Sequence, residues 1–300
     1  MKQLPFLNDA AGHRVAVDSS AAAVAASAAA AAAAGPQRPA IIVPVQATGP
    51  EEIARQCTAI AEAGVVDVIE WRVDPVIAEL AEEGSRSSDP ADSLKLAEAV
   101  LGLAAHVTSA ALPVLITLRT GFEGGHAEVS EDVYTQILTA VITGLPERPG
   151  SSRLPVPTAG ALWALDVEIE RRGAAELIAA AHGRGMSVVA SHHNFTGTDS
   201  AESLAATFAA MAEAGADVAK VAMMPMARAD VAELLRATAL ADEALEVPVL
   251  GISMGQLGRT SRVMGADFGS CATFAQLGEP SAPGQIAAGD LAGLVDRLYG

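Results

Sequence analysis

From residue 39 onward the chain alternates short runs that are apolar on both faces with longer stretches that are apolar on one. The short runs fall at 40–45, 65–69, 112–116, 161–165, 186–190, 216–219, 247–252 and 268–272. Runs without polar alternation suit parallel strands buried between helices. Between them, Ile53, Cys57, Ile60 and Ala61 share one helical face, and Leu204, Phe208 and Met211 share another. Glu62-Ala63-Gly64 and Glu213-Ala214-Gly215 each place a glycine where a helix should stop just before the next strand. Eight strand–helix units predict an α/β fold, a (β/α)8 TIM barrel over residues 39–300, preceded by an N-terminal extension, residues 1–38. A doubly wound open sheet shares the alternation, but no G-x-G-x-x-G follows the first run.

The extension holds the one low-complexity segment. Residues 21–34 are alanine except for Val24 and Ser27. The run is shorter than the roughly 20 apolar residues of a membrane span, and alanine is a weak hydrophobe. No basic cluster precedes it, and Asp18 sits where a signal peptide carries positive charge. It reads as an insert outside the working domain. Over 300 residues the chain is 51% hydrophobic and 18% charged, enough for a large core. A formal net charge of −17 excludes a generic nucleic-acid binder and argues against docking on an anionic membrane. Two cysteines, Cys57 and Cys271, make no disulfide framework, so a cytoplasmic, reducing location is expected.

Barrel chemistry stands where strands give way to loops at the C-terminal face. In order, those ends carry Glu70 and Arg72, Thr117 and Arg119, Asp166 and Glu168, His192 and His193, Lys220, Ser253 and Ser270. Residues at i and i+2 leave a strand on the same side, so each such pair can enter the mouth together. Lys220 is one of only three lysines and lies within an apolar run, where an ammonium is expensive to bury. Desolvation and neighbouring cations free such an amine as a nucleophile toward a carbonyl; the alternative is a structural lysine paired with Asp166 or Glu168. His192 and His193 leave opposite faces and cannot chelate one metal together, and parity does not say which faces inward. No metal site is indicated. Arg72, Arg119 and Arg262 suit bidentate carboxylate recognition, hence a small anionic substrate, or else ion pairs with Glu70, Glu123, Asp166 and Glu168.

These residues resemble type I 3-dehydroquinate dehydratase, the Schiff-base enzyme of the shikimate pathway. The resemblance runs from about residue 40 to the C-terminus. It rests on Glu70-Trp71-Arg72-Val73-Asp74, Arg119-Thr120 with Glu123-Gly124-Gly125, Asp166-Val167-Glu168 and Ser191-His192-His193-Asn194-Phe195. It continues through Lys220-Val221-Ala222, Ser253-Met254-Gly255, Ser261-Arg262 and Ser281-Ala282-Pro283-Gly284-Gln285. The resemblance implies Lys220 as the imine lysine, His193 as the general acid/base and Glu123 as the group orienting it. Substrate contacts fall on Glu70, Arg72, Arg119, Arg262, Ser281 and Gln285, with no external cofactor and a homodimer. The implied reaction converts 3-dehydroquinate to 3-dehydroshikimate. Two rivals are another class I Schiff-base lyase or aldolase, and a non-catalytic barrel that binds a metabolite.

Three features depart from or extend the pattern. Pro44 stands where some relatives carry a substrate-contacting serine. Residues 146–158, rich in proline, serine and arginine, read as an extra loop. The segment 276–285, punctuated by Gly278, Pro280, Pro283 and Gly284, reads as a lid.

Overall fold

The computed structural model describes residues 1–7, 37–83, 90–146 and 163–300. The alanine run and nearly all of the 146–158 loop therefore lie outside the described residues.

Within those residues β1 (Ala40–Val45), β2 (Val68–Arg72), β3 (Val114–Thr117), β4 (Trp163–Glu168), β5 (Ser187–Asn194), β6 (Val218–Met223), β7 (Val249–Ser253) and β8 (Ala272–Gln276) run parallel around a barrel. β1 pairs with β2 on one side and β8 on the other. The ring closes between β7 and the chain leading into β8, through a bridge from Val249 to Ser270. The helices are α1 (Pro50–Ala63), α2 (Asp74–Glu83), α3 (Pro90–Val107), α4 (Glu131–Gly144), α5 (Ala174–Gly183), α6 (Ala201–Glu213), α7 (Arg228–Ala244), α8 (Arg259–Val263) and α9 (Ala288–Tyr299). A two-residue strand, β9 (Ile286–Ala287), pairs with the end of β8.

The two faces of each strand explain the unbroken apolar runs. Outward residues such as Ile41, Ile69, Ile116 and Leu165 pack beneath the helices. Inward residues Ile42, Val68, Leu115, Ala164, Val189, Val218, Leu250 and Phe274 fill the barrel, and Leu4 and Phe6 seal its floor. The first residues of the extension are thus part of the barrel's base. Ile53, Cys57 and Ile60 are buried as the pattern requires, and so are Leu204, Phe208 and Met211; Ala61 is exposed. Gly64 and Gly215 both have positive φ, 63° and 92°, and end their helices as expected.

Several strands begin later than hydrophobicity suggests. The Asp67 carboxylate accepts from the Ile41 amide at 2.8 Å and pairs with Arg38, so β2 starts only after it. Asp217 does the same for β6, accepting from Val188 N at 2.7 Å. The eighth strand is displaced most. Gly265–Phe268 form a turn of 3-10 helix and Gly269 takes φ 90°, so extended structure begins at Ala272 rather than 268. That shift moves Ser270 from the expected mouth to the seam, where its Oγ accepts from Gly251 N at 2.9 Å.

Candidate active site

Inward parity carries Glu70 and Arg72, Thr117 and Arg119, Asp166 and Glu168, Ser191 and His193, and Lys220 up into the barrel mouth, above the apolar floor. Glu70, Arg72, Arg119, Glu123, His193, Lys220, Arg262, Ser281 and Gln285 all line one cavity. All nine site residues that the resemblance implied therefore meet. Ser253 does not join them. Its neighbours Ile252 and Met254 face the barrel core, while the Ser253 amide donates outward to Ser261 Oγ at 2.9 Å.

Lys220 is 3% exposed. Its Nζ lies 3.5 Å from Asp166 Oδ2, 3.7 Å from Glu70 Oε1 and 4.6 Å from the centre of the Phe274 ring. The amine is thus held between two carboxylates and an aromatic face. Burial works against charge on Asp166, but Arg119 and Lys220 outweigh it and hold the carboxyl below its ordinary range.

Arg119 is the hub of the mouth. Its Nη2 donates to Asp166 Oδ1 at 2.7 Å; its Nη1 reaches Glu123 Oε2 at 2.9 Å, Glu168 Oε1 at 3.1 Å and Ser191 Oγ at 3.1 Å. Glu168 is occupied further, accepting from Thr120 and from Arg171 Nε. Three buried carboxylates thereby share one planar, five-donor group.

Glu123 follows β3 on a single turn of 3-10 helix, Gly121–Glu123, closed by Gly124 at φ 77°. A Cβ at Gly124 would come within 2.4 Å of the Phe195 ring, so the glycine lets the turn sit under that ring. The position presents Glu123 Oε2 to His193 Nδ1 at 2.8 Å. With Nδ1–H donating to the carboxylate, Nε2 keeps its lone pair. Burial first, then the cations Arg119, Lys220 and Arg72, holds the His193 imidazole well below its ordinary value, so it is neutral at neutral pH. Burial also raises Glu123, against the pull of His192 and Arg119.

Two arginines differ in readiness. Arg72 is already committed to Asp74 by two 2.7 Å bonds, a partner outside the set of Glu70, Glu123, Asp166 and Glu168 that the sequence suggested for the arginines. Arg262 is buried without a carboxylate among the described residues. It donates only to the carbonyls of Phe274 at 3.3 Å and Pro283 at 3.0 Å, and its Nε has no partner. Burial pulls its guanidinium down to about 10. An unpaired buried guanidinium is a receptor for an anion. Over it, Ser281 and Gln285 bond to each other: Gln285 Oε1 accepts from the Ser281 amide and its Nε2 donates to Ser281 Oγ, both at 2.9 Å.

The apolar wall was not singled out in the sequence. Ala222, Ile252, Met254 and Phe274 line the same cavity. Ala222 could have been found as the i+2 neighbour of Lys220, whereas Phe274 was hidden by the misplaced eighth strand. Among the described residues, no cluster of three or more His, Cys, Asp or Glu residues is disposed to hold a metal, and no helix is long and apolar enough to cross a membrane.

Comparison with known proteins bears on the family and the fold. Residues 41–299 match the family model for type I 3-dehydroquinase. The 3-dehydroquinate dehydratase of Lactiplantibacillus plantarum is 35% identical over 255 residues, covering 84% of this chain and 90% of that protein. The crystal structure of 3-dehydroquinate dehydratase from Geobacillus kaustophilus superposes with a TM-score of 0.68 at 29% identity, covering 87% of this chain and 91% of that one. The type I enzyme from Clostridium difficile, solved with covalently modified comenic acid, gives a TM-score of 0.70 at 29% identity, with 88% and 94% covered.

Proposed function

The chain belongs to the type I 3-dehydroquinase family, and we propose that Lys220, His193 and Glu123 carry its reaction. It catalyses the dehydration of 3-dehydroquinate to 3-dehydroshikimate in the shikimate pathway, through a lysine Schiff base. The observation that carries the residue assignment is the convergence of a deeply buried lysine and a neutral, carboxylate-oriented histidine at one barrel mouth.

In this reading the Lys220 amine attacks the substrate ketone, and loss of water gives a protonated imine. Asp166 and Glu70 stand 3.5 and 3.7 Å from the nitrogen and stabilise that cation. The iminium draws electrons from the adjacent C–H bond and acidifies it. His193 removes the proton through its free Nε2 while Glu123 fixes the ring and supports the imidazolium that forms. The electron pair left behind expels the hydroxyl one carbon further on, and the same imidazolium protonates it as it leaves. Water then hydrolyses the imine and returns the amine. Arg262 receives the substrate carboxylate, and Arg72, Arg119, Ser281 and Gln285 complete the recognition of a small anionic polyol.

The enzyme is further proposed to be a cytoplasmic homodimer. Support for a reducing compartment comes from Cys57 and Cys271, both buried and free; light scattering tests the dimer. The central assignment is tested by mass spectrometry after borohydride is added with substrate or product. Reduction of the imine should leave a permanent adduct on Lys220, with turnover followed by the ultraviolet absorbance of the conjugated product. Lys220→Ala should show neither. An adduct elsewhere, or turnover by Lys220→Ala, defeats the assignment.

A further inference from the structure

Glu123 stands between two imidazoles. His193 occupies its Oε2 edge, while its Oε1 edge faces Nδ1 of His192 at 3.8 Å. Neither Oε1 nor that Nδ1 has a hydrogen-bond partner among the described residues. Adjacent residues of a strand leave opposite faces, so His192 approaches the carboxylate from the outer side of β5 while His193 approaches from within. Three carboxylates on three separate loops surround the His192 ring. Glu123 comes from the turn after β3. Glu170, after β4, lies 3.5 Å from Nδ1, and Asp199, between β5 and α6, lies 3.7 Å from Nε2. The charges that weigh most on this ring are those of Glu123, Glu170 and Asp199, whereas Glu123 itself is faced by Arg119, Glu168 and Asp166 from the barrel side.

We propose that His192 is a positioning residue for the dehydration: as an imidazolium beside Oε1 it keeps Glu123 a carboxylate and thereby keeps His193 in its base-ready form. The inference rests on His193 being the acid/base. An imidazolium at this place does two things. It opposes protonation of Glu123, which burial otherwise favours, and its charge opposes protonation of His193. The three surrounding carboxylates favour charge on His192, Glu123 foremost. The device works where it is needed. On the acid side, where the Glu123–His193 pair is liable to take up a proton, His192 carries its charge. On the alkaline side His192 is discharged, but there the pair is base-ready without help.

The consequence is confined to the acid limb of the kcat/KM profile, which reports the pair in the free enzyme. The profile is to be recorded for wild type, His192→Phe, His192→Asn and His192→Lys in the full chain. In the Phe and Asn variants the acid limb should rise by about one pH unit, a roughly tenfold greater loss at a fixed acid pH, with the plateau changed by no more than about threefold. His192→Lys, which restores a cation, should keep the limb at or below the wild-type position. Counting borohydride adducts on Lys220 normalises each variant to its folded sites, and the Asn variant serves if Phe does not fold. Limbs that superimpose on wild type overturn the proposal, as does a Lys variant shifted as far as the Phe variant, which would mean packing rather than charge. Failure of the underlying reading is distinct: His193→Ala would then turn over normally, whatever the His192 variants do.

Discussion

Arg262 Nη2 donates to the carbonyl of Pro283 at 3.0 Å, and the amide of Gly255 donates to the same oxygen, also at 3.0 Å. The guanidinium that is proposed to receive the substrate carboxylate is therefore also a fastening for the segment that covers it. Anion recognition and closure share one side chain. Gly284 makes the docking possible: its φ is 78°, and a Cβ there would lie 2.2 Å from the Gly255 carbonyl oxygen.

Arg262→Ala should consequently do more than remove a charge. Losing one partner of a buried charged contact costs about 2 kcal/mol or more, which is a rise in KM of at least about 30-fold. The Gly255 amide should also exchange faster in the free enzyme. Gly284→Ala should lift the same segment and raise KM while leaving Lys220 able to form its adduct. Unchanged exchange at Gly255 in both variants would separate the arginine from the lid.

Much of the site was legible because strand parity is rigid. Once Glu70 points inward, Arg72 must follow, and the same holds for Asp166 with Glu168. What parity does not carry is pairing between side chains. Nothing in the spacing says that Arg72 is taken by Asp74 two residues on, or that Ser281 and Gln285 bond to each other across the lid. The eighth strand was misplaced because Phe268 and Cys271 look like strand residues, whereas Gly269 takes a left-handed turn between them. Leu4 and Phe6 were not named as the residues that close the base, because the alanine run separates them in sequence from the barrel they plug.

Removal of the His193 imidazole should leave imine formation possible and cripple proton transfer. His193→Ala should lower kcat by about 10²–10⁴-fold, the usual worth of a positioned acid/base, while borohydride still traps some adduct on Lys220. Glu123→Gln should lower kcat by a smaller factor, since the ring stays in place but loses the anion that supports the imidazolium. Equal kcat in His193→Ala and wild type would move proton transfer to another group.

The floor predicts a variant that is unstable yet catalytically sound. Leu4 and Phe6 are 1% and 2% exposed and pack inside the barrel, remote from the C-terminal mouth. Truncating both to alanine should cost about 4–8 kcal/mol, somewhat less than the sum of two independent core truncations because the residues are neighbours. The urea midpoint should fall sharply, and kcat measured well below the melting temperature should stay near wild type. A large loss of kcat with an unchanged midpoint would contradict a purely structural floor.

Asp166 ties stability to pH in a direction that can be worked out. Its carboxyl sits below the ordinary value of 3.8 because Arg119 and Lys220 outweigh the cost of burial. A group whose pKa is depressed on folding contributes stability that is complete above its unfolded value and is lost as pH falls through its folded value. Asp166→Asn leaves two buried cations short of a partner, which should cost about 3–5 kcal/mol near neutral pH. The difference between wild type and variant should therefore stay level from neutral pH down to about pH 5 and then shrink as the wild-type carboxylate itself takes up a proton. Urea titrations across that range measure it. The same variant should form the borohydride adduct more slowly, because the iminium loses the carboxylate that faces it at 3.5 Å. A stability difference that persists undiminished below the folded pKa would mean that the charge of Asp166 is not what holds Arg119 and Lys220 in the mouth.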